Sequence, residues 1–307
     1  MQLDVSIIYV NYFTSNLIKN SIHSVINKTK DVSFEIIIVD NNTEKDIEAK
    51  LKDIAPEEIP LRFVFLENNL GYGGGNNEGA KIAKGKYLFL LNPDTLLQNN
   101  AIKILKDFIE ENTKVGICGG NLFSKDNLPI FSFRKIFPGP GWDFHEMTNH
   151  LFNYPFNIRK QYFNFSKRPK EVAYISGADL MIDSKVFKKS GGFPNYLFMY
   201  WDDVALCKRV HDLGYKVYNV PSAEIIHLES QSFDNDTISK TWKIELLEKY
   251  RIIYLENNVA KIKRKLANIF YNLFLSSRAF LLPEGFKKKY YKLRKDYFIY
   301  FKNLSPN

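Results

Sequence analysis

Four short apolar runs divide the first third of the chain at regular intervals. They are Val5 to Val10, Phe34 to Val39, Leu61 to Leu66 and Tyr87 to Leu91. Short, nearly unbroken apolar runs are typical of strands that are buried on both faces of a parallel sheet. Helix-sized segments separate the runs, and the first has one apolar face made of Leu17, Ile18, Ile22, Val25 and Ile26. This rhythm predicts an α/β fold with a Rossmann-like, mixed but mostly parallel sheet flanked by helices.

Polar residues stand where the predicted strands end. The second run is followed by Asp40-Asn41-Asn42, and the fourth by Asn92-Pro93-Asp94. Pro93 lacks an N–H and cannot extend a central strand, so Asp94 lies just past the strand's carboxyl end. Ligands bind at that edge of open α/β sheets, and a carboxylate there suits a hard divalent cation. An ordinary turn is the alternative, since Asn, Pro and Asp all favour turns.

A glycine-rich segment, Gly71-Tyr72-Gly73-Gly74-Gly75-Asn76-Asn77, precedes the fourth strand. It matches neither the phosphate loop of nucleoside triphosphatases nor a dinucleotide fingerprint after the first strand. Its glycines allow a close backbone approach to a ligand. Asn76, Asn77 and the N-terminus of a short helix around Ala80 are therefore candidates for contact with a diphosphate or a ribose. A flexible connection is the alternative.

The regular pattern stops between residues 121 and 170, which are rich in aromatic residues and contain Pro-Gly-Pro at 138–140. This segment is either an acceptor-binding lid or an insertion that covers the core. The pattern of residues 172–182 predicts a strand, a turn and a second strand. A helix is predicted from Asp203 to a cap at Gly214. Asp202 and Asp203 cap this helix, or one of them is a general base. A last strand region ends at His227, a residue that is more often structural than a ligand in such a place.

Composition and charge separate the C-terminal tail from the rest. Of the 307 residues 45% are hydrophobic, enough for one sizeable core, and the formal net charge is +9. Residues 240–307 hold 16 Lys and Arg against 5 Asp and Glu, so the basic character belongs to the tail. Cys118 and Cys207 form no disulfide framework, and the strand pattern begins within five residues of Met1. A reducing, cytoplasmic location without a signal peptide is expected.

Taken together, these segments resemble one family, the inverting family 2 glycosyltransferases of the GT-A fold, and particularly their rhamnosyltransferase-like branch. The resemblance extends in family order over roughly residues 4–230. It is carried by SIIYVNY at 6–12, VDNN at 39–42, NLGYGGGNNEG at 69–79, LNPD at 91–94, SGA at 176–178, GGF at 191–193, FMYWDD at 198–203, Arg209 and His227. It implies a GT-A domain over 1–239, with a nucleotide-sugar half at about 1–120 and an acceptor half at about 121–239.

The resemblance also implies roles for single residues. Asp203 corresponds to the catalytic base, and Asp94 and His227 to the protein ligands of Mg²⁺ or Mn²⁺. Residues implied in nucleotide-sugar binding are Asn11, Asp40, Asn42, Gly71, Asn76, Asn77 and Asn92, with Asp40 reading the nucleobase. Residues implied in acceptor binding are Gly177, Trp201 and Asp202. The chain departs from the family twice: Asn92 replaces the first Asp of the D-x-D metal motif, and Asp202 replaces the usual Glu beside the base.

The implied activity is non-processive, inverting transfer of a sugar from a nucleotide-diphosphate donor to a glycan or lipid-linked acceptor in cell-surface polysaccharide synthesis. The branch suggests rhamnose, with UDP-linked hexoses also open. Two other classes remain as alternatives, a sugar nucleotidyltransferase and an inactive carbohydrate-binding or scaffold protein. The first loop, Asn11-Tyr12-Phe13-Thr14, lacks the Lys or Arg that a triphosphate-binding nucleotidyltransferase would place there.

The tail, 240–307, predicts helices with basic and aromatic flanks. Leu266 to Leu282 is strongly apolar but polar residues interrupt it, and it is short for a membrane span of about 20 residues. Lysine clusters at 261–265 and 287–289 flank it, which suits an amphipathic anchor on an anionic leaflet. Attachment to the inner face of the cell membrane is expected, and nucleic acid is not. A helical cap with a solvated basic face is the alternative.

Overall fold

The computed structural model describes residues 3–44, 46–152, 162–228 and 237–304. These residues form two compact units, of which the first is an α/β unit made of 3–135, 162–198 and 202–228. The second is a helical unit made of 136–152, 199–201 and 237–304. The helical unit therefore joins part of the irregular middle segment to the tail, a grouping that the sequence did not suggest.

The described strands and helices alternate through the first half of the chain. The strands are β1 Val5–Asn11, β2 Phe34–Asp40, β3 Leu61–Phe65, β4 Tyr87–Leu91, β5 Thr95–Leu97, β6 Val115–Phe123, β7 Phe133–Arg134, β8 Lys170–Val172, β9 Tyr174–Ile175, β10 Asp179–Asp183 and β11 Lys216–His227. The helices are α1 Ser15–Lys28, α2 Ile47–Leu51, α3 Gly71–Ile82, α4 Ala101–Glu111, α5 Pro140–Phe152, α6 Ser184–Ser190, α7 Asp202–Asp212, α8 Thr237–Asn258, α9 Lys261–Leu281 and α10 Phe286–Leu304.

The main sheet of the α/β unit has the order β3-β2-β1-β4-β10-β6-β11-β5, with β8 beside β11. The four strands predicted from the first apolar runs are parallel neighbours, and Asn11 at the end of β1 is in register with Asp40 at the end of β2. Antiparallel β10 then joins β4 to β6. This mixed, mostly parallel sheet flanked by helices confirms the predicted fold class, and it brings the polar strand ends to one edge.

The placement of β1 explains why this run is apolar except for Ser6, which is buried and donates to Glu35. Ile7 and Tyr9 belong to the core on the face covered by α1 and α4, while Ile8 and Val10 face α3 on the other side. Successive side chains of a strand point to opposite faces. A central strand covered by helices on both faces therefore has no position that favours a polar side chain for solvation.

Helix α3 corrects the prediction for the glycine-rich segment. We expected a short helix only around Ala80, after the glycine-rich segment, but the helix begins at Gly71 and contains every glycine of the segment. The reason is close packing: a Cβ at Gly75 would lie 2.6 Å from Val10, and one at Gly79 would lie 2.6 Å from Ile8. Two of the five glycines of α3, Gly75 and Gly79, thus allow the helix to approach the sheet closely, a contact that local sequence does not reveal.

Gly71 is a different case, because its φ is +73° and a Cβ there would lie 1.8 Å from the carbonyl oxygen of Phe198. Gly71→Ala is expected to lower the free energy of unfolding by about 2–5 kcal/mol through left-handed strain and overpacking. Urea denaturation measures this change. Gly141→Ala is the control, since no atom lies within 4 Å of a Cβ there, and its stability should stay the same or rise. An equal loss in both variants would contradict the packing explanation.

The later predictions are confirmed in part. Strand, turn and strand between 172 and 182 become β8, β9 and β10, and the last strand region is one strand, β11, that ends at His227. Helix α7 begins at Asp202, one residue before the predicted start, so both carboxylates lie in its first turn. Part of segment 121–170 is regular, in β6, β7 and α5, and residues 153–161 of it lie outside the described residues.

The helical unit has a core of its own, in which charged groups are buried beside apolar ones. The core residues Ile252, Tyr271 and Phe298 pack together. Arg251 is fully buried and donates to the carboxylate of Asp143 at 2.7 Å. The predicted tail helices are confirmed as α8, α9 and α10, and among the described residues no helix is long and apolar enough to cross a membrane.

Candidate active site

One short loop between β9 and β10, residues 176–178, connects three polar groups of the α/β unit. The Asn92 N–H donates to the carbonyl of Ala178 at 3.0 Å, which fixes the turn after β4. The Gly177 N–H donates to Asp203 Oδ2 at 3.0 Å, at the start of α7. The hydroxyl of Tyr72 on α3 donates to the carbonyl of Gly177 at 2.5 Å. The turn of Asn92, the glycine-rich helix and Asp203 therefore meet at this loop.

Asp203 is half-buried, and backbone donors hold both of its oxygens. Oδ1 accepts from the Val204 N–H at 2.7 Å, and Oδ2 accepts from Gly177. Burial raises the pKa of Asp203 above its ordinary value, and the two N–H groups oppose that shift by stabilising the carboxylate. The side chain is thus fixed at the start of α7 and is more basic than an exposed Asp. An N-cap oxygen accepts from the second or third N–H beyond it, whereas Oδ1 of Asp203 accepts from the adjacent Val204 N–H, so these bonds are not those of an N-cap. The role of Asp203 as a base stays a prediction.

Asp202 is buried directly beside it. Burial and the negative charge of Asp203 raise the pKa of Asp202 to about 7, against the opposing effect of backbone N–H groups that include Gly73 of α3. Two adjacent buried carboxyl groups titrate as a pair, and protonating one favours ionisation of the other. A neutral Asp202 at neutral pH would leave the charge on Asp203. The contact with Gly73 links Asp202 to α3, and its role in acceptor binding stays a prediction.

Asp94 and His227 come together although 133 positions separate them. Asp94 Oδ1 and His227 Nε2 are 3.3 Å apart, and the Asn92 amide nitrogen lies 3.4 Å from the same ring nitrogen. Antiparallel pairing of β5 with β11 places them, with Thr95 opposite His227, and Thr95 also bonds the carbonyl of Asn92. One carboxylate and one imidazole suit a divalent metal whose other ligands are substrate oxygens or water. Among the described residues no group of three His, Cys, Asp or Glu supplies a fuller set.

Asn11 and Asp40 meet at the ends of β1 and β2. The Asn11 amide donates to Asp40 Oδ1 at 2.8 Å, and Thr43 donates to both Asp40 oxygens through its N–H and its hydroxyl. Burial acts to raise the pKa of Asp40, but these donors and the Glu44 N–H lower it below the ordinary value. Asp40 is therefore ionised and engaged by its own loop, and its reading of a nucleobase stays a prediction.

The predicted residues of α3 have structural contacts. The Asn77 amide donates to the Phe193 carbonyl and accepts from the Phe193 N–H, both at 2.9 Å, so both of its ends bind the protein itself. Asn76 is fully buried and donates to the carbonyl of Tyr72. Asn42, with φ of +61°, lies in the turn after β2. Their predicted contacts with a nucleotide stay predictions.

The acceptor-side predictions fall in different units. Gly177 belongs to the α/β unit and packs closely on Asp203, because a Cβ there would lie 3.3 Å from the Cβ of Asp203 and would require a small shift. Trp201 belongs to the helical unit, where its Nε1 donates to the carbonyl of Leu247 at 3.0 Å and its ring contacts Tyr254. The structure thus places Gly177 at Asp203 and gives Trp201 a packing role within its own unit.

Sequence reasoning missed two residues that build the site. Asn41 is buried, accepts from the Leu70 N–H at 2.8 Å and donates to the Gly71 carbonyl, so it fixes the turn that begins α3. Tyr72 bonds Gly177, as described above. Both lie inside the quoted motifs, beside Asp40 and within the glycine-rich segment, which is the only signal that pointed to them.

Tyr72→Phe tests whether this hydroxyl positions Asp203. The ring keeps its edge contact with Phe193, but the bond to Gly177 is lost. A loosened Gly177 N–H stabilises the Asp203 carboxylate less, so the pKa of Asp203 should rise. A base with a higher pKa stays protonated to a higher pH, and the acid limb of kcat/KM should move upward. Turnover should fall about 2- to 13-fold, the usual value of one hydrogen bond.

The matched control is Tyr9→Phe, which removes a buried hydroxyl bonded to Ser21 in the same unit. This variant should lose stability while its pH profile stays unchanged. The affinity for the donor should be normal in both variants. An unshifted acid limb in Tyr72→Phe would mean that Tyr72 only stabilises the fold.

Comparison with known proteins defines the family to which this chain belongs. The family model for glycosyl transferase family 2 matches residues 6–191, which include β2 to β10, α3 and all of β1 except Val5. The chain belongs to glycosyl transferase family 2. The match confirms the predicted family and, with it, the predicted enzyme class of glycosyltransferases.

Three curated relatives give more detail about this membership. The uncharacterized glycosyltransferase MJ1057 of Methanocaldococcus jannaschii is 26% identical over 172 residues, 55% of this chain and 58% of that protein. The N-acetylglucosaminyl-diphospho-decaprenol L-rhamnosyltransferase of Mycobacterium tuberculosis is 27% identical over 200 residues, 58% of this chain and 62% of that protein. Rhamnosyltransferase WbbL of Escherichia coli is 24% identical over 270 residues, 81% of this chain and 92% of WbbL. The chain thus aligns with less than two thirds of the first two proteins.

A solved structure supports the fold independently. The mannosyltransferase PcManGT from Pyrobaculum calidifontis, in complex with GDP-Man and Mn²⁺, superposes with a TM-score of 0.60 at 14% identity. The superposition covers 99% of this chain and 88% of that one. At this identity the likeness concerns the fold, and it confirms the predicted GT-A architecture.

Proposed function

We propose that the chain is a non-processive, inverting glycosyltransferase that moves a sugar from a nucleotide-diphosphate donor to a hydroxyl of a glycan or lipid-linked acceptor. The observation that carries this proposal is the contact of the 176–178 loop with both Asp203 and the Asn92 turn. Asp203, the proposed base, and the turn beside Asp94 and His227, the proposed metal ligands, are thereby linked through one set of hydrogen bonds at the carboxyl edge of the sheet. The proposal is for non-processive transfer because the sequence lacks a Q-x-x-R-W motif.

In the proposed reaction Asp203 accepts the proton of the acceptor hydroxyl as that oxygen attacks the anomeric carbon of the donor. The bond from the anomeric carbon to the diphosphate oxygen breaks in the same step, and the nucleoside diphosphate leaves with that electron pair. Attack opposite the leaving group inverts the anomeric configuration. The N–H groups of Gly177 and Val204 hold the carboxylate while its remaining lone pairs take the proton.

Asp94 and His227 are the residues we propose as protein ligands of Mg²⁺ or Mn²⁺, with Asn92 beside them. A divalent cation held there would neutralise the charge that develops on the departing diphosphate. Asn92 offers an amide where the family has a carboxylate, so the pair supplies one negative charge. We expect this site to bind the metal more weakly than a site with two carboxylates. The donor diphosphate should therefore supply a greater share of the metal's binding energy.

For the donor sugar we propose rhamnose, carried as a dTDP-sugar, because two relatives are named as rhamnosyltransferases. For the acceptor we propose a lipid-linked glycan in cell-surface polysaccharide synthesis, since one relative's name specifies a diphospho-decaprenol acceptor. We propose the cytoplasmic face of the cell membrane as the working location, with the basic tail on the anionic surface.

A thermal-shift screen of nucleotide sugars with and without Mn²⁺ tests this function. A dTDP- or UDP-sugar should raise the unfolding temperature, and Mn²⁺ should increase that rise. A panel that produces no shift with any nucleotide sugar would contradict donor binding. Stabilisation only by a nucleoside triphosphate would favour a nucleotidyltransferase instead.

A further inference from the structure

Helix α9 of the helical unit carries two opposite apolar faces. One faces inward and consists of Ala267, Tyr271, Phe274 and Leu275, which are buried in the core of the unit. The other is exposed and consists of Ile262, Leu266, Ile269, Leu273 and Phe280, which we call the α9 stripe. Its spacings of four, three, four and seven residues follow the 3.6-residue turn, so it runs along one side of the helix for ~27 Å.

The apolar residues of the α9 stripe are exposed together on one side of a helix and are not scattered singly over the surface. Ile262 is 77% exposed and Phe280 is 81% exposed, and the three residues between them are exposed as well. The row from Ile262 to Leu273 is continuous, and Ser276 and Ser277 separate it from Phe280. An exposed apolar row of this kind marks an interaction site. The inward face of α9 already packs on α5 and α10, so rotating the helix to hide the stripe would expose the core instead.

Basic residues stand on both sides of the α9 stripe at its N-terminal end. Lys261, Lys263 and Lys265 are exposed. On α10, Lys287 and Lys289 are exposed too, within a tail whose formal net charge is +11. Apolar side chains bordered by lysines complement a surface that offers acyl chains below and phosphate groups above. A second copy of this chain would instead bring like charges together.

We propose that the α9 stripe and its flanking lysines form the surface by which the protein docks on an anionic lipid bilayer. Isoleucine, leucine and phenylalanine side chains would enter the boundary between headgroups and acyl chains, and the lysine ammonium groups would lie at the phosphates. The docked helix lies parallel to the bilayer, because its inward face stays in the protein core. This surface rests on the membrane location proposed above and assigns it to particular residues, whereas the proposed transfer reaction does not require it in solution.

Sedimentation of the full-length protein with vesicles of phosphatidylcholine, with and without added phosphatidylglycerol, tests the apolar part. Leu273→Ser should weaken binding to the anionic vesicles by roughly tenfold, because an inserted apolar side chain is lost. Leu128→Ser in the α/β unit is the matched control, since both leucines are 50% exposed, and it should bind like the unchanged protein. Equal binding by all three proteins would overturn the proposal.

The charged part of the proposed surface is tested by a second pair of matched variants. Lys263→Gln with Lys265→Gln should weaken binding to the anionic vesicles by about 25-fold, at about fivefold per lysine, and high salt should release the unchanged protein. Lys19→Gln with Lys52→Gln is the control, because it removes the same charge from exposed positions of the α/β unit. An equal loss in the control would mean that net charge alone binds the vesicles, which would overturn a specific surface.

Two further measurements separate the outcomes. Sedimentation equilibrium without lipid should give a monomer for the unchanged protein and for Leu273→Ser. A dimer that the substitution dissociates would identify a second copy as the occupant and overturn the membrane proposal. Hydrolysis of the donor sugar in solution should be the same in all variants, so a failure of docking would leave the proposed transfer function untouched.

Discussion

Asp203→Asn is expected to lower turnover by roughly two to four orders of magnitude, the usual contribution of a positioned general base. Asparagine keeps the size of the side chain and one oxygen that accepts from the Gly177 or the Val204 N–H. It removes the basic oxygen that would take the acceptor's proton. Donor affinity should stay within a fewfold of normal, because the proton transfer belongs to the transition state.

The pH dependence of kcat/KM gives a second test of Asp203 as the base. Burial raises the pKa of Asp203, so the acid limb of kcat/KM should lie above the range of an exposed aspartate. Activity is lost as the pH falls through this pKa, because the base becomes protonated. The residual activity of Asp203→Asn should lack this limb.

Asp212→Asn is the control, since Asp212 lies at the other end of the same helix and is exposed. It should have normal turnover and stability. A collapse of stability in Asp203→Asn, far beyond the ~1 kcal/mol of a helix cap, would mean that Asp203 mainly holds the fold. Near-normal turnover would identify Asp202 or another group as the base.

Asp94→Ala is expected to abolish the dependence of donor binding on the metal. The unchanged protein should bind the nucleotide-sugar donor more tightly with Mn²⁺ than with EDTA, and Asp94→Ala should bind equally under both conditions. Removing a residue that merely hydrogen-bonds to a metal ligand typically lowers metal affinity by about 10- to 100-fold. Removing Asp94, the only carboxylate of this pair, should lower it at least as much. His227→Ala should weaken the dependence without removing the charge.

Isothermal titration of donor into each protein measures these affinities. Asp126→Ala is the control, an exposed aspartate of the same unit. The backbone bond from the Leu228 N–H to the Asp94 carbonyl survives the substitution, so β5 and β11 should remain paired. Unchanged metal dependence in both Asp94→Ala and His227→Ala would contradict the assignment of this pair.

The sheet was predictable because its information is local. Each of the strands β1 to β4 is an apolar run bounded by polar residues, and their order along the chain fixes a parallel arrangement. The strand ends place both Asp94 and His227 at one edge of the sheet, but the residues alone favoured a structural role for His227. The pairing of the two was predicted from the resemblance to the family.

The rest depends on contacts between distant parts of the chain. Tyr72 and Gly177 are 105 positions apart, and nothing in the sequence of either indicates the bond between them. Helix α3 has glycine at 75 and 79 because Val10 and Ile8 leave no room for a Cβ there, although glycine by itself disfavours a helix. The pairing of Arg251 with Asp143, which joins α5 to the tail, spans 108 positions and is equally invisible in the sequence.

The anomeric configuration of the product tests the central claim most directly. A nucleotide sugar that stabilises the protein is incubated with the protein, Mn²⁺ and an acceptor that carries a lipid-linked sugar, and the new glycosidic bond is assigned by NMR. In-line attack assisted by Asp203 predicts a configuration opposite to that of the donor, with one nucleoside diphosphate released for each bond formed. Retention of the donor's configuration would contradict the single displacement and the role of Asp203 as its base.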